Sequence, residues 1–321
     1  MTEIFSLNQI LKTLDDFDLI QEISKGFISL SKGHVVVPPI GEMLFPEVNG
    51  ELHIKYGAIN GDDSIVIKIA TGFFQNPKLG LPPFSGCMLV LSQKTGELKA
   101  VLLEEGELTN HRTAAAGALA AKCLSPNRIE TIGIVGTGVQ ARIQALYLQK
   151  VSTCRKVMIW GRNELKSKAA AFDLRAMGYE VIVTNSLIDL CDECRLIVTT
   201  TPSRTPLLTA EMIQPGTHIT AMGSDTEDKC ELSPSLLEKA DVVCVDSLEQ
   251  SQHRGEVSQA LKATKITIND LVEIGQVIID PSKGRISENQ ISIADLTGVA
   301  IQDIVIAKAV TERLLSKKFV T

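Results

Sequence analysis

The stretch Ile132-Gly133-Ile134-Val135-Gly136-Thr137-Gly138-Val139-Gln140-Ala141 decides how this 321-residue chain folds. It opens as a short apolar strand, passes through two closely spaced glycines and continues with helix-forming residues. Gly136 permits a tight turn, and Gly138 lets the backbone come close to a phosphate. Ala141 keeps the following helix against the sheet, with its N-terminal N–H groups facing any anion placed there.

Working downstream, apolar strand-length runs recur at 131–135, 156–160, 180–183, 196–199, 218–222 and 242–245, separated by helical segments. Six parallel strands alternating with helices predict a doubly wound α/β sheet of the Rossmann type. In that setting, strand before and helix after, the glycine turn predicts a dinucleotide site rather than a bare loop. The second strand ends Trp160-Gly161-Arg162-Asn163. A carboxylate there would bind a ribose 2′-hydroxyl and select NAD(H). None is present and Arg162 can pair with a 2′-phosphate, so NADP(H) is favoured and NAD(H) stays possible.

Upstream the pattern differs. Apolar residues at helical spacing predict a helix over 4–31, and Val35-Val36-Val37-Pro38-Pro39 predicts a strand running into a rigid bend. Between 51 and 103, four β-rich runs separated by Asn60-Gly61-Asp62-Asp63 and Lys94-Thr95-Gly96-Glu97 predict an antiparallel or mixed sheet. Thr109 is read as the N-cap of an Ala-rich helix, and 303–315 as an amphipathic helix.

The 44% hydrophobic and 22% charged fractions describe a globular chain able to bury a large core, and its length favours two domains. A net charge of −6 leaves no electrostatic footprint for nucleic acid or an anionic membrane. Apolar runs are strand-sized, too short to span a bilayer. The acidic, amphipathic start lacks a signal-peptide pattern, so a cytoplasmic location is expected. Seven cysteines include one CxxC pair, Cys191 and Cys194, without the second pair a zinc site needs. They are read as small apolar residues, and no metal is expected.

Four segments carry a family resemblance: Val66-Ile67-Lys68-Ile69, the helix start Leu108-Thr109-Asn110-His111-Arg112-Thr113-Ala114-Ala115-Ala116, the turn from Val135 to Ala141, and the run from Ala221 through Asp225 and Lys229 to Leu232. A weaker fifth runs from Asp295 to Asp303. Together they resemble the ornithine cyclodeaminase/mu-crystallin family over nearly the whole chain. The resemblance implies a dinucleotide-binding Rossmann domain at 119–295, and a substrate and dimerisation domain of α+β type from 1–118 plus 296–321. It also implies a homodimer and a small imino- or amino-acid substrate.

Residue by residue, the resemblance implies that Lys68 and Arg112 hold a substrate carboxylate. Arg offers a two-pronged donor and Lys a point charge. Lys68 and Asp225 are the expected catalytic pair, with Asp225 managing the proton on the substrate nitrogen, and Thr297 is a further substrate contact. Cofactor contacts are expected from Ser85, Arg112, Gly136, Thr137, Gly138, Val139, Gln140, Arg162, Thr200, Met222 and Lys229. One departure stands out: where the family has an arginine after its bend, this chain reads Pro39-Ile40-Gly41-Glu42. That weakens a three-cation clamp, and Glu42 is either a contact on the nitrogen side or a surface residue. His53, His111 and His218 are read as structural. The expected activity is reduction of pyrroline-2-carboxylate or piperideine-2-carboxylate, with ornithine cyclodeamination and alanine-type dehydrogenation as alternatives.

Overall fold

The computed structural model describes residues 2–318. The chain forms two compact units: one runs to Arg112 and resumes at Val299, and the other spans Thr113–Gly298.

The first unit is built on a seven-stranded sheet of β1 (Glu3–Phe5), β2 (Val35–Val36), β3 (Gly41–Phe45), β4 (Gly50–Ile59), β5 (Ser64–Phe73), β6 (Phe84–Ser92) and β7 (Leu98–Leu102). Its order is β1-β7-β6-β5-β4-β2, with β3 also paired to β4. All pairs are antiparallel except β1 with β7, so the sheet is mixed, within the expectation. The expected helix over 4–31 is corrected. Glu3–Phe5 is an edge strand, and helices occupy only Leu7–Leu11 and Leu19–Ser31. The break falls where Asp18 caps the second helix by accepting from the Ile20 and Gln21 amides, a local bond that competes with a continuous helix.

Alternation along β5 buries Ser64, Val66 and Lys68 on one face, and the C-terminal helix Ala300–Lys318 packs over β4, β5 and β6. That helix is corrected from amphipathic to internal: between Ala300 and Thr311 every residue but Lys308 is buried. Lys308 itself reaches Asp62 at 2.6 Å. Each fully buried side chain such as Ile301, Ile306 or Val310 contributes roughly 1.5–3 kcal/mol of transfer free energy. The outward face is also apolar, carrying Ile54, Tyr56, Ile65, Ile67, Ile69, Leu89, Leu91 and Val101 in cross-strand register.

The second unit is an all-parallel sheet of β8 (Ile132–Val135), β9 (Lys156–Trp160), β10 (Glu180–Thr184), β11 (Leu196–Thr199), β12 (His218–Ala221), β13 (Val242–Val245), β14 (Leu271–Glu273) and β15 (Ser292–Asp295). The order is β10-β9-β8-β11-β12-β15-β13-β14, with the direction of winding reversing between β8 and β11. Residues in β8, β11, β12 and β13 are buried throughout, as parallel strands covered on both faces require. The fold comprises a Rossmann-type doubly wound sheet and a mixed α/β unit.

Candidate functional site

In the second unit the strand β8 delivers the chain to Gly136 at φ +130°, a conformation that strains any side chain. A Cβ there would also sit 2.3 Å from Thr200 Oγ1. Thr200 belongs to the turn after β11, whose amide donates to Val135 O at 2.8 Å, so the two turns flanking the winding reversal are tied together. Gly138 is the N-cap of the helix Val139–Leu148, with no side-chain cap and no acidic residue in its first turn. Nothing lies within 4 Å of a Cβ built on Gly138. The helix N-terminus therefore keeps open donors and a clear approach, which fits the diphosphate of a dinucleotide.

Arg142 braces this turn from behind, donating to Thr137 O at 2.6 Å and Gly138 O at 3.0 Å while pairing with Asp173. At the end of β9, a Cβ on Gly161 would meet Thr137 Cγ2 at 2.4 Å, so Gly161 is required for the turn to close. Arg162 beside it is exposed. Among the expected cofactor residues, Gly136, Thr137, Gly138, Val139, Gln140, Arg162, Thr200, Met222 and Lys229 all belong to this unit, whereas Ser85 and Arg112 belong to the other. Ser85 is exposed on β6.

Beyond β12, Asp225 is exposed and Lys229 pairs with its carboxylate. Arg254 donates to the Asp225 carbonyl at 3.3 Å. The loop is anchored by Glu231, fully buried, which accepts from Thr199 Oγ1, Thr201 N, Thr201 Oγ1 and Gly223 N at 2.6–2.9 Å. Behind it lie two further buried carboxylates. Glu256 accepts from the Glu231 and Leu232 amides, and Asp295 from the Val257 amide. Burial pushes all three carboxyls up, Glu256 to about 7 with the neighbouring Glu231 adding to it. Thr297 is buried, donating to Asp246 at 2.9 Å and accepting from Gln250 at 2.8 Å. His218 is buried between Ser292 Oγ and Thr220 Oγ1, and burial drives its imidazole down to about 3. Cys191 and Cys194 are buried free thiols, which burial raises to about 12. No helix among the described residues is long and apolar enough to cross a membrane.

In the first unit the structure brings Lys68 and Arg112 together. Lys68 is 2% exposed, and its Nζ lies 2.9 Å from Asp303 Oδ2, outside good hydrogen-bond alignment. Arg112, 5% exposed, donates from Nε to Asp303 Oδ1 at 3.0 Å and from Nη1 to Gln302 Oε1 at 2.6 Å. Burial and the Arg112 charge lower the Lys68 ammonium, and Asp303 counters them only in part. Burial would raise the Asp303 carboxyl, but Arg112, Lys68 and Lys55 together hold it below its ordinary value.

Sequence reading did not anticipate Asp303 or Gln302 as partners of these cations. The expected Thr109 cap is corrected too: the helix is Glu107–Leu124, and Glu104 Oε2 accepts from Leu108 N at 2.8 Å and Thr109 N at 3.4 Å. Glu104 Oε1 is buried with no hydrogen-bond partner, and burial raises this carboxyl although Lys68 opposes the shift. Glu42, on β3, lies 3.3 Å from His53, which is also 3.6 Å from Glu51.

The ornithine cyclodeaminase/mu-crystallin family model matches residues 3–318. A pyrroline-2-carboxylate reductase from Thermococcus litoralis, solved with NADH and L-proline, superposes with a TM-score of 0.91 at 25% identity, covering 98% of each chain. An archaeal alanine dehydrogenase dimer solved with NAD superposes with a TM-score of 0.91 at 32% identity, covering 99% of this chain and 97% of that one. The alanine dehydrogenase of Archaeoglobus fulgidus is 38% identical over 243 residues, 75% of this chain and 74% of its own.

Proposed function

Because this chain belongs to the ornithine cyclodeaminase/mu-crystallin family, we propose that it is a nicotinamide-dependent reductase of a small α-imino acid, with pyrroline-2-carboxylate or piperideine-2-carboxylate going to L-proline or L-pipecolate. The observation that carries this reading is the buried Lys68–Arg112 pair. Two cations withdrawn from water share one carboxylate, an arrangement suited to a second, incoming carboxylate. Reduced dinucleotide, held by the Gly136–Gln140 turn, would supply hydride to the imine carbon. Arg112 and Lys68 fix the carboxylate, and thereby the orientation of the C=N bond. Fixed orientation of this kind is worth several kcal/mol of barrier, roughly up to 7–11 in the best intramolecular cases. Asp225, which Lys229 keeps beside a positive charge, holds the imine nitrogen in its protonated form, the better hydride acceptor. The likeness to alanine dehydrogenases supports a second reading, in which the imine is linear and formed from pyruvate and ammonia.

The test is stoichiometry. Protein supplied with pyrroline-2-carboxylate and NADPH is expected to consume one reduced cofactor per L-proline formed, without ammonia release. Ammonia from L-ornithine with no net change in a catalytic amount of NAD would replace the proposal with a cyclodeaminase. Turnover of pyruvate plus ammonia alone would install the second reading. Running the same assay with NADH and with Arg162→Ala settles the cofactor. NADPH should serve at least as well as NADH, and the variant should weaken NADPH more, because Arg162 is exposed beside Gly161 at a strand end, Trp160-Gly161-Arg162-Asn163, that carries no carboxylate to repel a 2′-phosphate. Equal loss with both cofactors would remove Arg162 from that role.

We further propose a homodimer formed through the outward face of the first unit's sheet. Ile65, Ile67, Leu89 and Val101 make a β-branched and leucine-rich surface that a single chain leaves only half-buried. The archaeal alanine dehydrogenase dimer supports this. Light scattering should report twice the chain mass of 34.8 kDa, and Ile67→Lys should shift it toward the single chain. A single-chain mass for the unaltered protein would end the dimer proposal.

A further inference from the structure

A carboxylate withdrawn from water is costly unless donors surround it, and the buried Glu231 has them on both oxygens. Its Oε1 accepts from the Thr201 amide at 2.6 Å and the Thr201 hydroxyl at 2.7 Å. Its Oε2 accepts from the Thr199 hydroxyl at 2.7 Å and the Gly223 amide at 2.9 Å. Each oxygen therefore takes one backbone N–H. A glutamine could not replace it, because in either orientation its NH2 group would point at the Thr201 or the Gly223 amide. Two acceptor oxygens on one side chain are what hold both turns, the one after β11 and the one after β12.

The backbone that carries this carboxylate is itself fixed. The Glu231 amide donates to Glu256 at 2.8 Å, and its carbonyl accepts from the Leu207 and Leu208 amides at 2.7 and 3.0 Å. Gly223 is pressed close from the other side: a Cβ there would lie 2.5 Å from Glu231 Oε2 and closer still to the Thr201 carbonyl. The bond from Gly223 to Glu231 closes the loop 223–231 at its two ends, and the buried Ser224 Oγ donates across it to Lys229 O at 2.8 Å. Asp225 follows directly, so its main chain leaves from a fixed point. Beside Thr201, the Thr200 amide donates to Val135 O at the entry to the glycine turn. One buried carboxylate is thus joined by hydrogen bonds and by short stretches of chain to both the Asp225 loop and the turn that would hold the dinucleotide.

We propose that Glu231 is a positioning residue for the reaction: it sets Asp225 relative to the glycine turn, so that the group managing the proton on the substrate nitrogen stands in register with the bound hydride donor. This rests on the reading of Asp225 as that group. With no surface exposed, Glu231 acts through Asp225 and not by contact with a ligand. What it supplies is the rigidity of two strand ends, which a reaction dependent on fixed orientation needs.

A double-mutant cycle separates this from a purely structural role. Glu231→Gln should lower kcat for pyrroline-2-carboxylate roughly 100-fold, the scale expected when a catalytic group is displaced by about 1 Å. KM for the imino acid should stay within about twofold, because the loss falls on the reacting geometry and the carboxylate clamp lies in the other unit. In an Asp225→Asn background the same substitution should cost no more than about twofold, since a group already disabled cannot be disabled again by misplacement. Thr199→Val removes one donor to Glu231 while keeping a β-branched strand residue. It should repeat the pattern at smaller amplitude, and it carries the cycle if Glu231→Gln does not fold. Losses that multiply in the double variant overturn the inference, because Glu231 then acts independently of Asp225. A Glu231→Gln protein that melts lower but keeps a normal kcat has a structural carboxylate only, which also overturns it. If Asp225→Asn keeps full activity, or the parent reduces no imino acid, the reading of Asp225 fails and the positioning role goes with it.

Discussion

Asp303→Ala is expected to lower folding stability by about 3–5 kcal/mol, the usual consequence of removing one partner from a buried charge cluster. The loss comes less from the missing attraction than from what stays behind. Lys68 and Arg112 would face each other inside the protein, with the Gln302 oxygen on Arg112 and the nearby Glu104 carboxyl left to offset them. Acid should erase the difference. The folded protein holds the Asp303 carboxyl below its ordinary 3.8, so its contribution is fully present above that pH and is lost as the pH falls through the lower folded-state value. Urea unfolding at neutral pH and again below pH 3.8 would therefore show a large gap between parent and variant that narrows in acid. A neutral-pH difference below about 1 kcal/mol would mean that the cluster tolerates an uncompensated pair, as no dry environment should.

Arg112→Ala should depress kcat/KM for the imino acid by roughly 30- to 5000-fold, the equivalent of about 2–5 kcal/mol for deleting one partner of a desolvated charge pair. Dinucleotide affinity should move little, because the glycine turn and its helix belong to the other unit. Arg112→Lys is expected to rescue only weakly. The native side chain uses Nε and Nη1 toward two different partners, and a single ammonium cannot reproduce that fork. Since Asp303 would also lose a partner, the comparison belongs at a temperature where circular dichroism shows both variants folded. Near-normal efficiency in a folded Arg112→Ala protein would make Arg112 a structural residue and would withdraw the clamp.

The glycine turn and the strands around it were legible because their physics is local. A parallel strand covered on both faces needs a continuous apolar run, and a tight turn at φ +130° needs glycine. What escaped was set by distant partners. Ser292-Ile293-Ala294-Asp295 has only two clearly apolar residues, yet it inserts between β12 and β13 as a fully buried strand. Glu3–Phe5 reads as helical by spacing, but its β-type pairing with β7 decides the matter. Asp303 had a visible signal that spacing alone does not use. It is an acidic residue between Gln302 and Ile304 in an otherwise apolar stretch, and such a residue must find a cation if it is buried. Glu104, four residues before the first amide it caps, lay outside the usual capping interval.

The buried carboxylates behind the Asp225 loop make folding of the second unit a proton-consuming reaction. Glu256 in an unfolded chain releases its proton near pH 4.5, whereas the folded protein keeps it up to about 7, and Glu231 and Asp295 are biased the same way. Between those values the native state binds more protons than the unfolded state, so the contribution of this group declines as pH rises and levels off once both states are ionised. Calorimetry near pH 6 would register the transfer directly. Unfolding releases those protons to the buffer, and the apparent heat then differs between phosphate and Tris by an amount set by the buffers' own ionisation enthalpies.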